Sequence, residues 1–171
     1  EVLLGAAKYG PALDVWSVGC IFGELLTKQY LLQGTSESNQ LKRIFELVGS
    51  PNEDVWPAFQ SLRGAAAVPR SLLGLRGGVA RLRKGMGLPE HAFAGPYLPP
   101  AGLDLLSKLL HLDPAQRISA ADALQHGFWE EHPQPRARHL MRSAPETNKQ
   151  RHGSTQLRVE RNTLMHGNES D

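Results

Sequence analysis

The chain of 171 residues has one cysteine, Cys20, so no internal disulfide can form and a reducing compartment suits it. It has no apolar run near the roughly 20 residues that a bilayer-spanning helix needs, and no signal-peptide pattern stands at its start. It has no marked excess of either charge. Lys and Arg number 19 against 17 Asp and Glu, a net of +2, which does not indicate bulk nucleic-acid binding. Nor do its histidines carry metal-ligand spacing: four of the seven stand at or beyond His132. What it does have is 40% hydrophobic residues, enough for a modest core in one domain followed by a polar tail.

The strongest local pattern is Tyr9-Gly10-Pro11-Ala12-Leu13-Asp14-Val15-Trp16-Ser17-Val18-Gly19-Cys20. From Leu13 to Leu26 apolar residues fall on every side of a 3.6-residue helix, which predicts a helix in the middle of a domain. Pro11 suits its first turn. Asp14 at the entry is placed to accept backbone N–H groups and to gain from the positive end of the helix dipole. Burying that charge requires several donors, so Asp14 calls for a partner loop, and no segment of this chain offers an obvious one. A plain N-terminal Asp is the alternative. Cys20, inside the apolar helix, reads as a core residue.

Further along, Ser36 is the expected N-cap of a helix over 37–48, with Leu41, Ile44, Phe45 and Val48 on its apolar face, Gly49 just past its end and Pro51 beyond. Trp56 is expected to anchor the following turn. Ala101 to Leu112 predicts another helix, with Leu103, Leu106, Leu109 and Leu110 inward and Asp113-Pro114 ending it. Ser119 is the expected N-cap of a last helix, Ala120 to His126, with Asp122 in its first turn. Phe128 and Trp129 would close the core.

Residues 58–100 break this regularity. Arg63, Arg70, Arg76, Arg81, Arg83 and Lys84 face a single acid, Glu90, among seven glycines. That composition predicts an irregular, solvated segment whose charge could meet an acidic partner. From Pro133 onward only eight of 39 residues are apolar, too few to offset the entropy of ordering, so 133–171 is expected to be disordered.

Three blocks, in order, carry a resemblance. Glu1-Val2-Leu3-Leu4-Gly5 with Tyr9 and Asp14-Val15-Trp16-Ser17-Val18-Gly19-Cys20 resembles the eukaryotic protein kinase fold just after its activation segment. Gly34-Thr35-Ser36-Glu37 through Gln40, Ile44, Phe45, Gly49, Ser50-Pro51 and Trp56-Pro57 resembles the segment that follows in cyclin-dependent kinases. Asp113-Pro114-Ala115-Gln116-Arg117-Ile118-Ser119-Ala120 and His126-Gly127-Phe128-Trp129 resemble the end of the kinase domain. The resemblance implies a mainly α fold, the helical C-terminal lobe of a kinase over 1–132, with 58–100 as the family's insert. Within the family it is nearest the PITSLRE-type branch linked to transcription and splicing.

By the same resemblance, Glu1 matches the Glu of the Ala-Pro-Glu motif and pairs with Arg117 in a buried clamp, while Asp14 supports the catalytic loop. Glu37, Gln40, Lys42 and Arg43 lie where relatives meet substrates and accessory proteins, although Ser38-Asn39 replaces the usual Ile-Asp after Glu37. The Gly-rich loop, the strand Lys and its helix Glu, the catalytic-loop Asp and Asn, and the Asp-Phe-Gly metal ligand are all missing from this sequence. No catalytic, cofactor-binding or metal-binding residue is therefore assigned here. In the complete enzyme ATP, Mg²⁺, protein substrates and a cyclin are implied, with no direct nucleic-acid or membrane partner, and a nuclear or cytoplasmic location, the nucleus favoured. The start at Glu1 rather than Met suggests a fragment. The competing reading is a non-catalytic helical interaction module.

Overall fold

A computed structural model describes residues 1–88 and 98–131. Among them the regular structure is helical, with no strand: α1 is Ala12–Thr27, α2 Glu37–Val48, α3 Val79–Gly85, α4 Pro100–Leu109 and α5 Ala120–Leu124. Short 3₁₀ turns lie at Pro57–Ser61, Ala65–Ala67, Arg70–Leu72 and Gly127–Glu130. The tail beyond residue 131, for which disorder was expected, and residues 89–97 of the insert lie outside the described residues.

The helix boundaries follow local chemistry. Pro11 precedes α1, and Lys28 ends it in the left-handed conformation, φ 56°, its N–H returning to Glu24 O. The Ser36 side chain accepts the Asn39 N–H at 3.2 Å, and the Gly49 N–H returns to Phe45 O at 3.0 Å. Ser119 accepts the Asp122 N–H at 3.1 Å. The last two helices are shorter than their periodicity predicts. α4 stops at Leu109, and α5 at Leu124, because His126 then caps the Gly127–Glu130 turn through Phe128 N–H.

The core forms two large clusters. One joins Leu47, Leu82, Met86, Leu88, Leu98, Leu103, Leu106 and Leu110; the other joins Leu4, Phe45, Trp56, Phe59, Ala65, Val68 and Leu112. Trp16 and Val48 pack against both and so bridge them. Trp56 anchors its turn, with its ring 5.9 Å from Phe59. α1 lies hard on α4: a Cβ added to Gly19 would come within 3.0 Å of Leu109 Cβ and 2.9 Å of Leu110 Cδ2. Any side chain at Gly19 would have to displace Leu110 or press on Leu109.

Two expectations need correction. The insert is not merely a solvated loop, because Phe59, Ala65, Val68, Leu82, Met86 and Leu88 are all buried. Its glycines hid a short helix, α3, whose Leu82, with Met86 four residues on and just past the helix end, packs with Leu47. Leu47 itself stands off the predicted stripe of α2 because α2 is covered on two sides. Secondly, α1 is apolar all round yet not buried all round: Val18, Ile21 and Leu25 are 55%, 57% and 74% exposed. With Phe22, Leu105, Leu109, Ala123, Leu124 and Trp129 they line an open apolar groove of about 390 Å³.

Candidate functional site

Among the described residues Arg117 has a side chain with five hydrogen bonds. The turn before it is set by Asp113, whose Oδ1 accepts the Ala115 N–H at 2.9 Å and whose carbonyl accepts the N–H groups of Gln116 and Arg117 at 3.1 and 3.0 Å. That turn sends the guanidinium inward beneath α1. Its Nε donates to His111 O at 2.9 Å, Nη1 to Ala12 O at 2.6 Å, and Nη2 to Leu112 O at 3.3 Å. The two remaining N–H groups meet Glu1, Nη1 to Oε1 at 3.4 Å and Nη2 to Oε2 at 3.2 Å. All five donors of the guanidinium are thus used.

The pair is dry. The Arg117 and Glu1 side chains are 1% and 8% exposed. Trp16 closes the remaining side, with the Arg117 guanidinium carbon 5.0 Å from its ring centroid. Glu1 is held in turn by its own loop: Ala6 N–H donates to Glu1 O at 3.0 Å, and Gly64 N–H to Leu4 O at 2.9 Å. One guanidinium therefore ties residues at the chain's start to the turn after α4 and the first turn of α1. A small apolar cavity of about 110 Å³ adjoins the pair, between Leu13, Ile44 and Phe45.

Asp14 lies one helical turn from Val18 on the outer side of α1, is exposed, and no hydrogen bond reaches its carboxylate among the described residues. It is not the buried charge its helix suggested. Val18 and Ile21, next along the same side of α1, line the open groove.

The four residues proposed for docking differ from one another. Glu37 is exposed in the first turn of α2. Lys42 is exposed and 3.9 Å from Glu46, and Arg43 Nε donates to Asn39 Oδ1 at 3.1 Å. Gln40 is no free docking residue. Its Oε1 accepts the Gly34 N–H at 2.7 Å and its Nε2 donates to Leu32 O at 3.1 Å, clipping the preceding loop to α2. The clip also explains Gly34, where any Cβ would collide with Gln40.

A second polar cluster was not read from the sequence. Asp104 Oδ2 accepts from Lys108 Nζ at 2.6 Å and from His126 Nε2 at 2.9 Å. His126 Nδ1 accepts the Phe128 N–H at 3.2 Å, so Nε2 carries the proton. The Lys108 bond, helped by His126, holds the Asp104 carboxyl below the usual carboxylate range. This latch joins α4 to the Gly127–Glu130 turn. Burial, with Glu24 nearby, pushes the Cys20 thiol up to about 11. Among the described residues no group of three or more His, Cys, Asp or Glu could hold a metal ion, and no helix is long and apolar enough to cross a membrane.

Residues 1–129 match the family model described as the protein kinase domain. The chain is 43% identical over 153 residues to cyclin-dependent kinase G-1 of Oryza sativa subsp. indica, covering 88% of this chain and 21% of that protein. It is 46% identical over 133 residues to cyclin-dependent kinase B2-2 of Arabidopsis thaliana, covering 78% and 38%. Cyclin-dependent kinase 11 of Dictyostelium discoideum is 41% identical over 154 residues, covering 87% and 38%. The chain thus spans between a fifth and two fifths of the length of these relatives.

Proposed function

The chain belongs to the protein kinase family, among its cyclin-dependent members, and we propose that it is the helical C-terminal lobe of a Ser/Thr kinase of that type. The observation that carries this reading is the Arg117–Glu1 pair. It joins residues 116 positions apart, both desolvated, at the two sites where the family resemblance requires a clamp. The clamp would hold the end of the activation segment on the lobe. Similarity to the cyclin-dependent kinase 11 of Dictyostelium supports the PITSLRE-type branch, and with it a nuclear or cytoplasmic protein with cyclin and protein substrates as partners.

The open groove supports the same reading from a second side. Asp14, Val18, Ile21 and Leu25 follow one another at i, i+4, i+7 and i+11, a continuous helical stripe with a charge at one end. By resemblance, Asp14 receives the backbone N–H groups of the catalytic loop. In such an enzyme ATP and Mg²⁺ supply the phosphoryl group and the charge neutralisation for its transfer. The described residues here do not fit either: no carboxylate cluster could take the metal, and the sequence holds no Gly-rich phosphate loop. No step of the transfer is assigned to this chain; its residues position and clamp.

The test is direct. The purified 171-residue chain, given labelled ATP, Mg²⁺ and a Pro-directed peptide, should transfer nothing and show no saturable ATP binding. Turnover that follows the protein through purification and is abolished by a substitution within it would overturn the assignment.

A further inference from the structure

Between Val55 and Pro89 the chain carries six cations and no carboxylate. The fold gathers part of that charge at the C-terminal end of α2. Arg81 Nε donates to Glu46 O at 2.7 Å, across 35 residues of sequence. Leu75 O accepts the Ser50 N–H at 2.9 Å and Leu75 N–H donates to Ser50 Oγ at 2.9 Å, which fixes Arg76 beside the same helix end. Gly77 lies so close to Val48 O that no Cβ fits. Lys42 and Arg43 stand on α2 itself. Glu46, 3.9 Å from Lys42, makes a loose, exposed pair with it, and the exposed Glu53 and Asp54 follow Ser50 at the same helix end, so the cations outnumber the carboxylates without excluding them.

We propose that this end of α2, with the segment Leu75–Lys84 laid against it, is a docking surface for an acidic segment of another protein. Lys42, Arg43 and Arg76 are exposed, and Arg43 uses only its Nε, on Asn39. Arg81 answers the negative end of the α2 dipole, which would otherwise weaken the positive field there. A net excess of one charge on a rim steers an oppositely charged partner and fixes its register. A nucleic acid fits less well. Among the described residues, Val79 is the one exposed large apolar side chain in this region, so none of them offers a base an aromatic ring to stack on. The inference deepens the kinase reading, on which Lys42 and Arg43 already stand at a docking face, and it concerns binding by this chain alone.

The probe is a fluorescein-labelled Asp/Glu-rich peptide of about −6 net charge, titrated with the 171-residue chain and followed by anisotropy. Saturable binding is expected, weakening at least about tenfold from roughly 50 mM to 500 mM salt. Lys42→Ser/Arg76→Ser should weaken it about fivefold or more, whereas Lys8→Ser/Lys28→Ser, with the same loss of charge elsewhere, should change it less than about twofold. Unchanged melting of both variants keeps the comparison one of binding. Absence of saturation, equal loss in the two variants, or tighter binding of a single-stranded RNA of matched charge would each overturn the proposal.

Discussion

Arg117 and Trp16 are stacked, the guanidinium carbon 5.0 Å from the centre of the indole, and that single contact connects the ion pair with Glu1 to both halves of the core. Trp16 packs on the Leu106 cluster and on the Phe45 cluster at once. The clamp is therefore part of the packing, and its loss should be felt as stability.

Arg117→Ala leaves the Glu1 carboxylate buried without its partner and three backbone carbonyls without their donor. It should cost roughly 3–5 kcal/mol. Arg117→Lys should recover little of this, since a point charge cannot serve a bidentate acceptor and stack on a ring. Urea denaturation of the three proteins measures it; an Arg117→Ala midpoint equal to that of the parent would show that the pair contributes nothing.

Gly19→Ala sets two effects against each other. Alanine favours a helix interior by about 1 kcal/mol, but its Cβ would press on Leu109 Cβ and Leu110 within 3.0 Å. Leu109 Cβ is fixed to its backbone and cannot rotate away, so overpacking should win and the net change should be a loss of about 1–3 kcal/mol. A gain in melting temperature would mean that α1 and α4 separate easily.

Cys20 should resist alkylation. With the thiol raised to about 11, the thiolate at pH 8 is about a hundredfold or more scarcer than for an ordinary cysteine near 8.5. Iodoacetamide should label the native chain slowly and the urea-unfolded chain at the normal rate. Equal rates would place the thiol in water.

The order of helices α1, α2, α4 and α5, their caps and the Glu1–Arg117 pairing were legible in the sequence because each rests on a local signal or a family motif: Ser36 and Ser119 at caps, Gly49 at an end, Leu at helical spacing. Other features rest on contacts that no spacing encodes. The Leu47–Leu82–Met86 packing depends on where a glycine-rich segment returns to the core. The backbone acceptors of Arg117 and the Gln40 clip are carbonyl and amide groups, and these carry no residue identity. The exposure of Asp14 was not legible, because a helix apolar on all sides implies cover on all sides, and the described residues leave one side of α1 open.

The Asp104 latch predicts a specific pH dependence. Its carboxyl sits below the usual range in the folded chain, so its bonds stabilise above the unfolded pKa and are lost as the pH falls through the lower, folded value. Asp104 is 46% exposed, and the contribution is correspondingly small, under about 0.5 kcal/mol after screening. Asp104→Asn should therefore melt slightly below the parent at pH 6 and together with it near pH 2. A difference that grows with acid would have the wrong sign.

The central claim, that this chain is a kinase lobe that positions catalytic groups held elsewhere, is tested most directly by grafting. Residues 1–131 would replace the matching segment of the Arabidopsis cyclin-dependent kinase B2-2, and phosphoryl transfer to a Pro-directed peptide would be measured with its cyclin present. The account predicts a chimera with transfer within about tenfold of that host, and a further loss on Asp14→Asn of about tenfold or more with little change in melting, since one charge orienting several N–H donors is removed. A chimera that melts cooperatively yet transfers nothing, or one whose rate is indifferent to Asp14→Asn, would contradict it.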